Sequence, residues 1–224
     1  MNPFIDYFPP TVDLEVDLEI ACSDMAISSG RFDEVRTFLG LLKLKDTATY
    51  EHSIRVGLVS RAIARCMHLD QKPAFYAGLL HDCGKAQTNP ATLKKTSGWT
   101  PADTAEIMSH VVDGYRLLRG QFDFTAEIIL WHHRFQPNSY PALMPPPIHD
   151  YGAGTRVMIP MFGRILAIAD QYDACHRVNE RTPADRTKIG ETIKEQMIAG
   201  NPDQRVLIEE LNALDVLTTR VYVG

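Results

Sequence analysis

Apolar residues recur at helical spacing along nearly the whole chain, and on five successive stretches the same stripe carries histidine or aspartate. In residues 46–67 the stripe is His52, Val56, Val59, Ile63 and Cys66. Residues 72–82 run through Ala77-Gly78-Leu79-Leu80 into His81-Asp82-Cys83-Gly84-Lys85, and residues 100–118 align Ile107, His110, Val111, Gly114 and Leu118. In residues 124–134, Ile128 and Ile129 lie one turn before His132-His133, and in residues 160–175 the run Ile165-Leu166-Ala167-Ile168-Ala169 ends on Asp170. Period-3.6 stripes of this kind build packed helices. Imidazoles and carboxylates on the buried face are costly without partners there, so these helices must pack around a polar cluster. The expected fold class is all-α.

Capping signals place the boundaries. Asp46 and Asp70 are candidate N-caps, with Pro73 tolerated in the first turn after Asp70, and Thr100-Pro101 has the form of a helix start. Residues 11–29 and 32–42 read as two peripheral helices, and residues 85–100 as an irregular segment with a short turn near Pro90. Residues 136–154, rich in proline (Pro137, Pro141 and 145–147) and with Gly152 and Gly154, read as a long loop of the kind that is more often functional than idle. Further helices are expected over residues 182–199 and 202–213, and the remaining C-terminal residues form a strand or an extended tail. One domain over residues 46–224, with a helical appendage over residues 1–45 packed on it, is the expected organisation. That appendage is the candidate surface for a homodimer or a signalling partner.

Composition excludes several classes. A net charge of -5 with no Lys/Arg block argues against gripping a nucleic-acid duplex or an anionic membrane, while leaving small anionic substrates open. No stretch approaches the roughly 18 apolar residues of a membrane span, and the first residues lack a signal-peptide pattern. Cys22, Cys66, Cys83 and Cys175 show no paired spacing and read as reduced core thiols, which points to a cytoplasmic protein.

His81 and Asp82 are adjacent, and successive helical residues are rotated by about 100°. The two can converge on one metal, or bridge two, only where the helix ends and the backbone turns at Gly84. The dipeptide alone is weak evidence, since His149-Asp150 repeats it in the proline-rich loop. Its weight comes from His52, His110, His132, His133 and Asp170. Any one of these histidines is more often a hydrogen-bonded core residue, but seven such residues on five helices suit divalent first-row metals such as iron, manganese, nickel, cobalt or zinc. The ligand count exceeds one tetrahedral ion, so two ions sharing Asp82 are expected. Such a pair suits phosphoester hydrolysis by a bridging water. Lys85 would reach a phosphate oxygen or else be a solvated helix-end lysine, and Cys83 reads as a structural thiol.

At these residues the chain resembles the HD superfamily of metal-dependent phosphohydrolases, and within it the HD-GYP group of cyclic-di-GMP phosphodiesterases. The resemblance spans about residues 46–213 and rests on His52, His81-Asp82-Cys83-Gly84-Lys85, His110, His132-His133 and the segment from Arg164 to Ala174. It implies that His52, His81, Asp82 and Asp170 hold one metal and that Asp82, His110, His132 and His133 hold the other, with a small anionic nucleotide as substrate. The chain departs from the pattern in three places. Arg134 stands where a glutamate is usual, and the signature after it is degenerate, its nearest match being Ser139-Tyr140-Pro141 with Tyr140 as a substrate contact. Ala48 replaces the glutamate of members with a third metal, and the substrate arginine falls on Asn179, leaving Arg177 or Arg181 as substitutes. The expected activity is hydrolysis of cyclic-di-GMP or a related cyclic dinucleotide. The alternatives are an HD nucleotide phosphohydrolase with another substrate, or a catalytically silent nucleotide-binding module.

Overall fold

The computed structural model describes residues 13–136, 138–176 and 193–217, which form helices and turns with no strand among them. Two helices, α1 (Leu14–Asp24) and α2 (Ser29–Lys45), precede the long α3 (Thr47–Cys66) and α4 (Gln71–Leu80). The Asp46 side chain accepts from the Thr49 N–H, and that of Asp70 from the Lys72 N–H, as the capping signals predicted. A 3-10 turn over Cys83–Gln87 and the short α5 (Pro90–Leu93) lead to α6 (Pro101–Met108), α7 (His110–Leu118) and α8 (Asp123–Ile129). The remaining helices are α9 (Ala153–His176), α10 (Ile193–Gly200) and α11 (Arg205–Ala213).

Five boundaries differ from the sequence reading. The first helix stops at Asp24, where Ala26 takes a positive φ of 49°, and the second begins at Ser29, capped by Ser28. The single helix expected over residues 100–118 is two, broken at Ser109, and the helix expected to reach residue 134 stops at Ile129. In contrast, α9 begins seven residues earlier than residue 160 and carries Pro160 within it, so Arg156 receives no N–H from that position. The expected helix start at Thr182-Pro183 and the last seven residues lie outside the described residues.

The core is continuous from Leu18 of α1, through Leu39 and Leu42 of α2, to Ile54, Phe75, Leu80, Ile129 and Ile165. Its tightest crossing joins α3 and α4: a Cβ built on Gly78 would lie 2.5 Å from the Cα of Gly57. The bare backbones therefore meet, which places the middle of α3 against the C-terminal end of α4. The second close approach is at Gly84, where a Cβ would sit 2.0 Å from the His110 carbonyl oxygen and 2.6 Å from the Gly114 nitrogen. These two glycine contacts bring α3, the end of α4 and the start of α7 to one point. No helix among the described residues is long and apolar enough to cross a membrane.

Candidate metal centre

Three histidines are mounted at helix ends by one device. His81 directly follows α4 and its Nδ1 donates to the Gly78 carbonyl at 2.8 Å. His110 opens α7 just beyond the break at Ser109 and donates to the Ile107 carbonyl at 2.5 Å, while His132, past the end of α8, donates to the Ile129 carbonyl at 2.6 Å. In each case the acceptor is the carbonyl three residues earlier, in a last turn whose carbonyls lack helical partners. A carbonyl oxygen only accepts, so each Nδ1 carries the proton and each Nε2 presents a lone pair. His52, in mid-α3, donates its Nδ1–H to Asp173 Oδ2 at 2.7 Å, with the same result.

The four Nε2 atoms point at one another. His52 and His81 approach to 3.2 Å, and His110 and His132 to 3.4 Å. Asp170 Oδ1 lies 3.2 Å from His52 Nε2. Asp82 sits between the pairs: its Oδ2 is 3.5 Å from His52 and 3.4 Å from His81, and its Oδ1 is 3.4 Å from His110. His133 completes the far side, its ring centroid 3.9 Å from that of His132. Potential ligand atoms fall into the groups His52-His81-Asp170, His110-His132-His133 and, joining them, His81-Asp82-His132, each within 4.8 Å. The seven predicted ligands are thus brought together.

Lone pairs facing lone pairs and carboxylates, all but Asp170 and His133 almost fully buried, need a cation between them. The backing of His52, His81, His110 and His132 through the other nitrogen is what metal-ligating histidines show. Burial disfavours the protonated form of four of the rings: it pushes His81 down to about 4 and His110 down to about 3, and lowers His132 and His133 as well. Against the cost of burial, neighbouring His81 and Lys85 hold the Asp82 carboxyl well below the usual range, and the adjacent His52 ring does the same for Asp170. Imidazoles beside carboxylates are a donor set that suits a divalent first-row metal, so the residues fit such ions.

The other predicted residues divide. Lys85 Nζ pairs with Asp82 Oδ2 at 2.6 Å from the first turn after it. Tyr140 stacks on His133 with centroids 4.3 Å apart and an interplanar angle of 26°. Arg177 and Arg181 lie outside the described residues. Burial raises the Cys83 thiol far above its ordinary value, which suits the structural role read for it. His149 pairs with Asp123 Oδ2 at 2.7 Å on the surface, away from the cluster. Sequence reasoning missed Asp173 and Arg55. Their signal was spacing: Asp173 is three residues after Asp170, and Arg55 three after His52, so each shares a helix face with a residue of the cluster.

The HD domain family model matches residues 49–175, which contain all seven clustered residues. The chain belongs to the HD domain family. HD phosphohydrolases are metal-dependent, and the described residues include His/Asp groups that could hold a metal ion. The HD chain is 29% identical over 199 residues to a cyclic di-GMP phosphodiesterase of Thermotoga maritima, covering 84% of this chain and 51% of that protein. It is 30% identical over 168 residues to a cyclic di-GMP phosphodiesterase of Pseudomonas aeruginosa, covering 67% of this chain and 38% of that one. The chain therefore spans about half or less of the length of these curated relatives. The HD domain of the L. monocytogenes phosphodiesterase PgpH shares the fold, with a TM-score of 0.51, 19% identity and coverage of 80% of this chain and 92% of that one. Its complex with cyclic-di-AMP gives a TM-score of 0.52 over 81% of this chain and 93% of that one.

Proposed function

We propose that this HD chain is a two-metal phosphodiesterase that opens cyclic-di-GMP. The observation that carries the proposal is the position of Asp82, whose two oxygens face two different histidine groups. In this reading His52, His81 and Asp170 hold one ion, His110, His132 and His133 hold the other, and Asp82 is shared. Iron or manganese fits best, with nickel, cobalt and zinc as alternatives. Such a pair, when bound, supplies a nucleophilic water and charge to offset the leaving oxygen. Lys85 exchanges its Asp82 partner for a phosphate oxygen of the substrate. Tyr140, lying flat on His133, walls the second half of the site and presents its outer edge to the nucleotide.

The relatives named as cyclic di-GMP phosphodiesterases support the substrate, and hydrolysis assays with iron- or manganese-loaded protein test it. Linear dinucleotide product is expected. Absence of cleavage with metal bound overturns the proposal. A second reading, another cyclic dinucleotide or nucleotide, is favoured by Arg134, whose guanidinium donates to the Pro141 carbonyl at 2.8 Å and so sets the Tyr140 loop where the family pattern has a glutamate. A panel containing cyclic-di-AMP and mononucleotides separates the two.

Residues 1–45 are proposed as an appendage, packed on the domain through α1 and α2, whose outer face takes a second copy of the chain, supported by Val16, Ile20, Leu41 and Leu44 exposed on those helices. Sedimentation of Leu44→Glu against wild type tests it, a monomeric wild type counting against it. A cytoplasmic setting accords with the four free cysteines.

A further inference from the structure

The histidines of the cluster are backed unequally. His81, His110 and His132 each donate to a neutral main-chain carbonyl, and His133 Nδ1 is buried without a hydrogen-bond partner. His52 alone among these donates to a carboxylate, Asp173. That carboxylate is itself gripped: Arg55 Nε donates to its Oδ1 at 2.5 Å, and Arg55 Nη2 lies 3.4 Å from its Oδ2. Asp173 is buried, and Arg55 retains only an edge in solvent, near Glu51 at 3.9 Å. His52 and Arg55 on α3 thus interlock with Asp170 and Asp173 on α9.

A carboxylate accepting from one ring nitrogen fixes the tautomer and raises the basicity of the other nitrogen more than a carbonyl does. Arg55 fixes the carboxylate in turn, so the His52 ring cannot swing without breaking an ion pair. The group containing His52 also holds a charged ligand of its own, Asp170, whereas the His110-His132-His133 group has only its share of Asp82. The two halves therefore differ in charge, in ligand basicity and in rigidity, all in one direction.

We propose that Asp173, clamped by Arg55, is a positioning residue that makes the His52-His81-Asp170 half the tighter of two metal positions, so that the centre loads in order. The inference rests on the ligand reading given under Proposed function, but not on the substrate. It concerns how the chain holds its ions, and it assigns to Asp173 and Arg55 a role that touches neither ion nor substrate.

Titration of metal-free protein with cobalt(II), followed by visible absorption, tests it without any turnover. Wild type should show two phases of different affinity. Asp173→Asn, which keeps the shape of the side chain and removes its charge, should weaken the tighter phase about ten- to hundredfold and leave the looser one unchanged. Arg55→Gln, which leaves the His52–Asp173 bond in place, should weaken the same phase less and serves if the Asp173 variant does not fold. His133→Ala should remove the looser phase alone. The proposal is overturned if wild type shows one phase, if Asp173→Asn and Arg55→Gln leave the tighter phase unmoved, or if they weaken both phases equally, as a merely structural role would. A protein that titrates as expected but cleaves no cyclic dinucleotide refutes the functional reading and leaves this one standing.

Discussion

The chain contains His-Asp-x-Gly twice, as His81-Asp82-Cys83-Gly84 and as His149-Asp150-Tyr151-Gly152. At the first, both polar side chains are almost fully buried, and the glycine lies so close to α7 that a Cβ would reach to 2.0 Å of the His110 carbonyl. At the second, Asp150 is exposed, His149 makes a surface pair with Asp123, and a Cβ on Gly152 would meet nothing within 4 Å. Identical residues thus do different chemistry because of what packs on them. The first copy follows a buried helix and is welded to the next one, while the second caps a surface loop whose neighbouring strut is the Glu127 carboxylate accepting from the Ile148 N–H.

The largest effect should come from Asp82→Ala. It removes the carboxylate shared by both histidine groups, so metal and activity should fall to background, while circular dichroism reports a helical fold. Gly84→Ala comes next: the added methyl has no room against main chain, and a loss of about 1–3 kcal/mol in chemical denaturation is expected. Gly152→Ala should cost nothing comparable, and an equal loss at both glycines would break the contrast. Lys85→Ala should retain metal and lower kcat by about 100-fold, the usual scale for removing one transition-state donor.

Acid should act on the first copy too. Burial lowers His81 from 6.5 to about 4 and His110 to about 3, so below pH 6.5 the unfolded chain takes up protons that the folded chain refuses. Stability of the metal-free protein should therefore be full above about pH 6.5 and decline toward pH 4, as thermal melts against pH will show. The depressed carboxyls of Asp82 and Asp170 extend the loss below pH 3.8. The smallest effects belong to the second copy. His149→Ala should change stability by less than about 1 kcal/mol, as exposed pairs do, and Asp150→Ala should leave hydrolysis unchanged.

The seven clustered residues were legible because each lies on or beside an apolar stripe at helical spacing, a pattern that survives without knowledge of the packing. Where the helices stop was not legible. Residues 100–118 and 124–134 keep helical periodicity through Ser109 and past Ile129, yet the helices break there, and the breaks turn the Ile107 and Ile129 carbonyls toward His110 and His132. Local propensity favours continuing the helix, and only the tertiary arrangement of the site favours ending it. Asp173 escaped notice for a related reason. A carboxylate three residues after Asp170 looks like any polar residue near a helix end until α3 is seen to place His52 and Arg55 against it. The proline-rich loop was recognised as a loop, but its attachment through Tyr115 to the Pro146 carbonyl and Arg134 to the Pro141 carbonyl depends on contacts that spacing does not encode.

The central claim is that Asp82 holds two ions at once, and the metal content of freshly purified wild type, Asp82→Ala and Asp150→Ala, measured by elemental analysis, tests it most directly. Two ions per chain are expected in wild type and in Asp150→Ala, and loss of both in Asp82→Ala. Retention of the full metal complement by Asp82→Ala, or a single ion in wild type, would contradict it.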